Sequence, residues 1–276
     1  MIVRFLGTAA GGGIPQWNCG CPGCATAREA GVDRTQDCLA VSGDGSAWYL
    51  VNASPDLRAQ VLAAPELAPP PGTRDTPVRG VLLSTAELDH VLGLPLLREA
   101  AELTVYGSGT VLAALAPVRS VLAAYADVHW HRLDAGEAVG LAGGLWVRRW
   151  TIGSKRPRYA RAGSGVSSGD EWVSALDIVD SRGARLLYAT CFAEWTPALA
   201  GLVDAADCAV LDGTFHTAAE FERVTGHLPV EHSLAAVRGR KTRIFYSHLN
   251  NTNPLAAAGR LGVNVEIAAD RLTLRL

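Results

Sequence analysis

The chain has no excess of either charge, no apolar run long enough to cross a bilayer and no internal repeat. In its 276 residues, 25 lysines and arginines stand against 27 aspartates and glutamates, a formal net charge of -2. Without a basic field, neither a phosphate backbone nor an anionic membrane surface has bulk electrostatics to hold it, so nucleic acid and membranes are not expected partners. The opening "MIVRFLGTAAGGG" lacks the apolar core of a secretion signal, and no uninterrupted apolar run approaches the roughly 18 residues of a membrane span. A cytoplasmic location is therefore expected. No fixed-period self-similarity is present, and no low-complexity tract beyond two loops.

What is present is an ordinary globular composition, 49% hydrophobic and 19% charged, enough to bury a large core. Apolar or alternating runs bounded by turn residues predict strands at 2–6, 47–54, 78–84, 103–108, 144–152, 174–180, 185–190, 208–214, 242–249 and 271–276. Helices are expected at 55–63, where Ser54-Pro55-Asp56 offers a cap and a proline at the first turn, and near 92–102, 109–125, 193–206 and 231–239. The order suggests two sheets with helices outside. The proline-rich stretch 65–77 and the basic, glycine-rich stretch 153–171 read as surface loops, since the strands on either side of each need partners beyond their own half.

Three of the six cysteines fall within "WNCGCPGC", as Cys19, Cys21 and Cys24. In a reducing compartment this crowding argues for a metal before disulfides. A glycine and a Pro-Gly between the thiols allow the tight turns that three thiolates on one tetrahedral ion require, so a structural zinc is expected to pin the preceding glycine loop. No fourth cysteine lies nearby, and the fourth ligand must come from elsewhere in the chain. Cys38, Cys191 and Cys208 stand singly in apolar surroundings and read as small buried residues.

A second constellation is "LLSTAELDHVLGL", where Thr85, Glu87, Asp89 and His90 follow a strand. Adjacent Asp89 and His90 can turn toward one zinc or iron ion, or else be a capping carboxylate beside a surface histidine. A third is "FYSHLNNTNP", in which a strand delivers His248 into a loop of amides that is also readable as an Asx-type turn. Asp212, His216, His227, Glu231 and His232 follow two further strands. His129 and His131, flanking Trp130, look like one face of a strand.

Together, "FLGTAAGGGIPQWNCGCPGC", "STAELDH" and "SHLNNTNP" resemble the coenzyme PQQ synthesis protein B family of the metallo-β-lactamase superfamily, from residue 2 to past 254. The resemblance implies an α/β (α+β) fold, one metallo-β-lactamase-like domain over 1–276: an αββα sandwich of two mixed sheets flanked by helices, with metal ligands on loops along one edge. The superfamily motif H-x-H-x-D-H falls on Thr85, Glu87, Asp89 and His90, so both leading histidines are absent. By comparison with the phosphodiesterase branch, "HSK" becomes Gly153-Ser154-Lys155 and the bridging aspartate falls at about Thr190. A histidine that closes the cysteine site in that branch becomes Asn251, so the expected fourth ligand is the Asn251 side chain, a group in its neighbourhood, or water.

A hydrolase that activates water between two ions needs roughly seven ligands. The survivors, Asp89, His90 and His248, form instead the two-imidazole, one-carboxylate set of mononuclear iron(II) oxygenases. The resemblance thus implies PQQ biosynthesis by an iron- and oxygen-dependent hydroxylase, an oxidoreductase acting on a tyrosine-containing, Glu–Tyr-derived precursor. Catalytic Fe2+ is expected at Asp89, His90 and His248, and structural Zn2+ at the cysteines. Asp212, His216 and His227 are expected as supporting or proton-carrying groups, and Lys155, Arg156 or Arg158 as partners of substrate carboxylates. The expected partners are a small-molecule or dipeptide-like substrate and O2, with a homodimer and contacts to other proteins of the pathway allowed. Two alternatives remain open: a non-catalytic carrier of PQQ or its precursor that assists transport to the periplasm, and a zinc hydrolase.

Overall fold

The structure, a computed structural model, describes residues 1–160, 171–220 and 226–276. Along the chain the strands are β1 (Ile2–Gly7), β2 (Cys38–Ser42), β3 (Trp48–Val51), β4 (Val78–Leu82), β5 (Glu102–Gly107), β6 (Asp127–Arg132), β7 (Ala138–Leu141), β8 (Leu145–Gly153), β9 (Val173–Asp180), β10 (Arg185–Ala189), β11 (Cys208–Asp212), β12 (Arg243–Ser247), β13 (Val265–Ile267) and β14 (Thr273–Arg275). They form two sheets of the orders β14-β1-β2-β3-β4-β5-β6 and β13-β12-β11-β10-β9-β8-β7. Each sheet is mixed: β3 to β6 pair in parallel in the first and β10 to β13 in the second, while the remaining pairs are antiparallel.

The packing explains the composition. Phe5, Leu39, Val41, Val51 and Leu82 of the first sheet meet Val147, Ile178, Leu186, Val210 and Phe245 of the second in one buried layer. The alternate residues of the first sheet, among them Leu50, Val81 and Val105, bury against Leu57, Val111 and Leu115 from its covering helices. On the far side Leu187, Ala209, Leu211 and Ile244 bury against Leu199, Val203, Val230 and Val237. Sheets covered on both faces demand apolar side chains in both directions, which is why β2, "CLAVS", and β4 read as continuous runs instead of alternating ones. The expected αββα layering is what forms.

The helices are α1 (Pro22–Ala30), α2 (Leu57–Leu62), α3 (Leu88–Val91), α4 (Gly109–Ala114), α5 (Ala116–Leu122), α6 (Pro197–Ala205) and α7 (Val230–Val237). Ser108 caps α4 by accepting from the Val111 amide, and Thr196 caps α6 by accepting from Leu199. The helix expected at 109–125 is two helices. Pro117 lies in the first turn of α5, where its missing N–H and fixed φ suit a start and would break an interior. The helix expected at 92–102 does not form: a single 3-10 turn, Leu94–Leu97, precedes β5, which begins at Glu102. Here the chain presses against its neighbour, since a Cβ on Gly93 would stand 2.2 Å from the Ser54 carbonyl oxygen, and the Gly93 amide donates to Ala53 at 2.8 Å. Strands β2, β7 and β13 and helix α1 were not anticipated, and residues 161–170 of the expected loop at 153–171 lie outside the described residues. Among the described residues, no helix is long and apolar enough to cross a membrane.

Candidate metal centre

The chemistry-bearing side chains collect at one edge of the sandwich, past the carboxyl ends of the parallel strands, where open α/β sheets commonly carry their sites. After β4 the chain runs through Thr85 into α3, which carries Asp89 and His90. Cys191 follows β10, Asp212 ends β11, and His248 follows β12. Cys191 and His248 both hold left-handed backbone, φ 62° and 60°, a conformation non-glycine residues adopt at a cost.

Two of the three expected ligands, His90 and His248, come together, and they do so with Cys191, while Asp89 meets His248 alone. Asp89 Oδ2 lies 3.1 Å from His248 Nε2, and the His90 and His248 rings meet edge to face with centroids 5.2 Å apart. His90 Nδ1 is 2.8 Å from Thr85 Oγ1, while its Nε2 is buried and has no hydrogen-bond partner. An unpartnered buried ring nitrogen is costly unless something binds it. The nearest acid, Asp37, is 4.0 Å away, and its carboxylate already accepts from Tyr188 Oη and Ser247 Oγ.

Donor counting fixes the role of His248. The Thr214 hydroxyl has one hydrogen and donates it to Asp212 Oδ1 at 2.5 Å, so at 2.7 Å it can only accept from His248 Nδ1. The Nε2 lone pair is then the one available to a metal, by the same orienting logic that fixes metal-bound histidines elsewhere. His227 is spoken for at both nitrogens: Nδ1 donates to Asp212 Oδ2 at 2.7 Å, and Nε2 accepts from Lys155 Nζ at 2.9 Å. Asp212, His227 and His248 therefore bring donor atoms together as a closed hydrogen-bond network, with no free lone pair aimed at a shared point.

Electrostatics agree with this division. Burial pushes the His90 imidazole below its ordinary value, keeping it neutral as a ligand must be. Burial opposes charge on Asp89, but His90, His248 and Lys155 outweigh it and hold the carboxyl well below the usual range. Burial likewise disfavours charge on His248, yet Cys191 and Asp89 lift its pKa well above the ordinary value, so any cation bound at Nε2 would first have to displace a proton. Asp212, against the same desolvation, is brought down to about 2 by His227.

A cavity of about 620 Å³ opens beside Asp89, with Glu87, Lys155, Arg156, Arg158, Tyr159 and His227 on its walls. Lys155 reaches Glu87 at 3.3 Å as well as His227, and Arg156 lies over the Trp172 ring at 5.8 Å. Thr190, the expected bridge position, turns its hydroxyl to Tyr188 Oη at 3.0 Å. Its neighbour Cys191, read in sequence as a filler, is buried as expected but places its thiol with His90 and His248, all donor atoms within 4.8 Å of one another. Nothing in the apolar surroundings of Cys191 marked it; the signal was its place two residues past the end of β10. Thr214 was legible in principle, two residues after Asp212 in "LDGT". His216, expected near the site, contributes backbone contacts to Glu220 and Glu231, and His232 pairs weakly with Glu231 at 3.7 Å. His129 and His131 sit exposed on the edge strand β6.

The second cluster lies apart. The sulfurs of Cys19, Cys21 and Cys24 are mutually within 4.8 Å, and the Asn251 side-chain amide faces all three, with Nδ2 at 3.1, 3.6 and 3.4 Å. Cys24 is not on a loop: it is the buried residue of α1, which Pro22 opens. The amide thus donates N–H to the sulfurs, so the three thiols supply three corners of a zinc site and Asn251 would supply a fourth only with its Oδ1 turned toward them.

Comparison with known proteins gives a consistent picture. Residues 47–248 match the Beta-lactamase superfamily domain. The chain is similar to a coenzyme PQQ synthesis protein B from Methylococcus capsulatus, 36% identical over 92% of this chain and 91% of that one. It superposes on the zinc-bound PqqB of Methylobacterium extorquens with a TM-score of 0.87 and 33% identity, covering all of both chains. A diphosphatase of the PhnP family, 19% identical at a TM-score of 0.75 over 100% of this chain and 97% of that one, shares the fold. Shared sequence over nearly the whole length, carried on two mixed sheets with the ligands at one edge, places this chain in the coenzyme PQQ synthesis protein B family.

Proposed function

We propose that this chain serves PQQ biosynthesis as an iron- and oxygen-dependent hydroxylase of a tyrosine-containing, Glu–Tyr-derived precursor, with a metal held by Asp89, His90 and His248 and a structural zinc on Cys19, Cys21, Cys24 and Asn251. The observation that carries the reading is the orphaned, buried Nε2 of His90 on a histidine clustered with His248, whose Nε2 meets the Asp89 carboxylate at 3.1 Å. Two imidazoles and a carboxylate fit a divalent transition metal, and iron(II) bound there would supply the electron transfer to oxygen that ring hydroxylation needs.

The surrounding residues have separable tasks. Thr214 and Asp212 hold His248 in one tautomer and one orientation. Lys155, Arg156 and Arg158 put positive charge on the cavity wall, where the carboxylates of a diamino-acid substrate would be held. His227, hydrogen-bonded between Lys155 and Asp212, can take or return a proton at Nε2 when Lys155 turns to substrate.

A dinuclear zinc hydrolase is disfavoured by the residues present: Thr85 and Glu87 stand where a first ion needs histidines, and Thr85 is used in holding His90. The test is oxygen uptake by protein loaded anaerobically with iron(II), with and without a Glu–Tyr diamino acid. Consumption only when the precursor is present supports hydroxylation. Tight binding of PQQ with no turnover of any tyrosyl precursor overturns it in favour of a carrier.

A further inference from the structure

We propose that Cys191 is a protein ligand of the ion at His90 and His248, binding as a thiolate; this rests on reading that cluster as a metal centre. Cys191 Sγ is 3.9 Å from His248 Nε2 and within 4.8 Å of the nearest His90 nitrogen. Donors about 2.0–2.3 Å from a single ion stand about 3–4.6 Å from each other, so the 3.9 Å from Cys191 to His248 and the mutual approach of His90, Cys191 and His248 fit one shared centre, with Asp89 touching it through His248 at 3.1 Å. A lone buried cysteine would carry little, but here His90, a member of the same cluster, is fully buried with an unpartnered Nε2.

The fold puts Cys191 there deliberately. Residue 190 spends its side chain on Tyr188, and the left-handed turn at Cys191 brings the thiol to the strand end where the related hydrolases are expected to place their bridging carboxylate. As the metal–sulfur bond forms, the thiol proton leaves to water. The thiolate, with the Asp89 carboxylate beside His248, would set two negative charges against a divalent ion in the buried centre. Its soft sulfur would turn selection away from magnesium and calcium.

The test uses the full-length protein with its cysteine cluster filled by one zinc per chain, titrated anaerobically with cobalt(II) as wild type, Cys191→Ser, Cys191→Ala and His248→Ala. Zinc is measured after each titration, to show that cobalt has not entered the Cys19 cluster. Wild type is expected to take up one cobalt with a near-ultraviolet thiolate-to-cobalt charge-transfer band. Both Cys191 variants should keep the visible ligand-field bands, lose the charge-transfer band and bind cobalt at least about tenfold more weakly. X-ray absorption at the cobalt edge, read alongside, should show one sulfur neighbour in wild type and none in the variants. A charge-transfer band unchanged by Cys191→Ser with zinc retained overturns the thiolate while leaving the centre intact. Cobalt uptake that is absent in wild type, or untouched by His248→Ala, overturns the centre itself.

Discussion

At the scale of single residues the site is governed by where a few hydrogens sit. Thr214 gives its only hydrogen to Asp212 and thereby obliges His248 to donate from Nδ1. Replacing Thr214 with valine keeps the shape and removes both bonds, so His248 loses its orienting partner. Metal affinity should fall by about 10–100-fold, measured by competition with a chelator, and Thr214→Ser should restore it. The Asp212 carboxyl makes a second prediction. Its pKa falls from 3.8 to about 2 on folding, so the unfolded chain binds more protons in that interval. Its contribution, on the order of 2 kcal/mol, is complete above about pH 5 and is lost as the pH drops through 2. Urea midpoints at pH 5 and pH 3 should therefore differ more in wild type than in Asp212→Asn.

At the scale of elements, legibility tracked how local the cause was. The C-x-C-x-x-C spacing is written within six residues, so the cluster was readable, whereas α1, which carries Cys24, was hidden by the Pro-Gly that opens it. Asp89 and His90 could be singled out because they are adjacent, but that His90 would be left with a bare Nε2 depends on Thr85, Asp37 and the packing of three strand ends. The neighbours of Cys191, read correctly as buried, were hidden for the same reason: only the pairing of β10 with β11, parallel and one strand from β12, brings residue 191 to residue 248. The doubly covered strands were harder to read than the alternating ones, since apolar residues on both faces leave no period of two. The cysteine loop has its own test. It ties residues 19–24 to Asn251 across more than 200 residues of chain, so Cys21→Ser should lower both the zinc content and the thermal midpoint, read by metal analysis and calorimetry.

At the scale of the whole molecule the two sheets are held in register beside the site by a polar node, not by apolar contact alone. Tyr188, the fully buried penultimate residue of β10 in the second sheet, donates its hydroxyl to Asp37 at the entrance to β2 in the first. It also accepts from Asn52 Nδ2 at 2.8 Å and from Thr190 at 3.0 Å, and Asn52 in turn receives the Ser84 amide and hydroxyl at 3.0 Å. Asn52 holds its left-handed backbone, φ 64°, at the end of β3 in order to do this. Desolvation and the Asp37 charge both raise the Tyr188 pKa well above the ordinary value, so the phenol keeps its proton and remains the donor. Tyr188→Phe removes one oxygen and leaves a buried carboxylate short of a donor, an amide without an acceptor and a threonine hydroxyl unpaired. Each such orphan costs about 1–3 kcal/mol, so the variant should lose on the order of 3 kcal/mol after partial relaxation, measured as a shift in the urea midpoint at unchanged slope. None of the proposed metal ligands is touched, so cobalt stoichiometry should stay at that of wild type while the affinity drops, because Asp37 lies 4.0 Å from His90 Nε2. An unchanged midpoint would mean that water takes the place of the hydroxyl and that the sheets are held by their apolar layer alone.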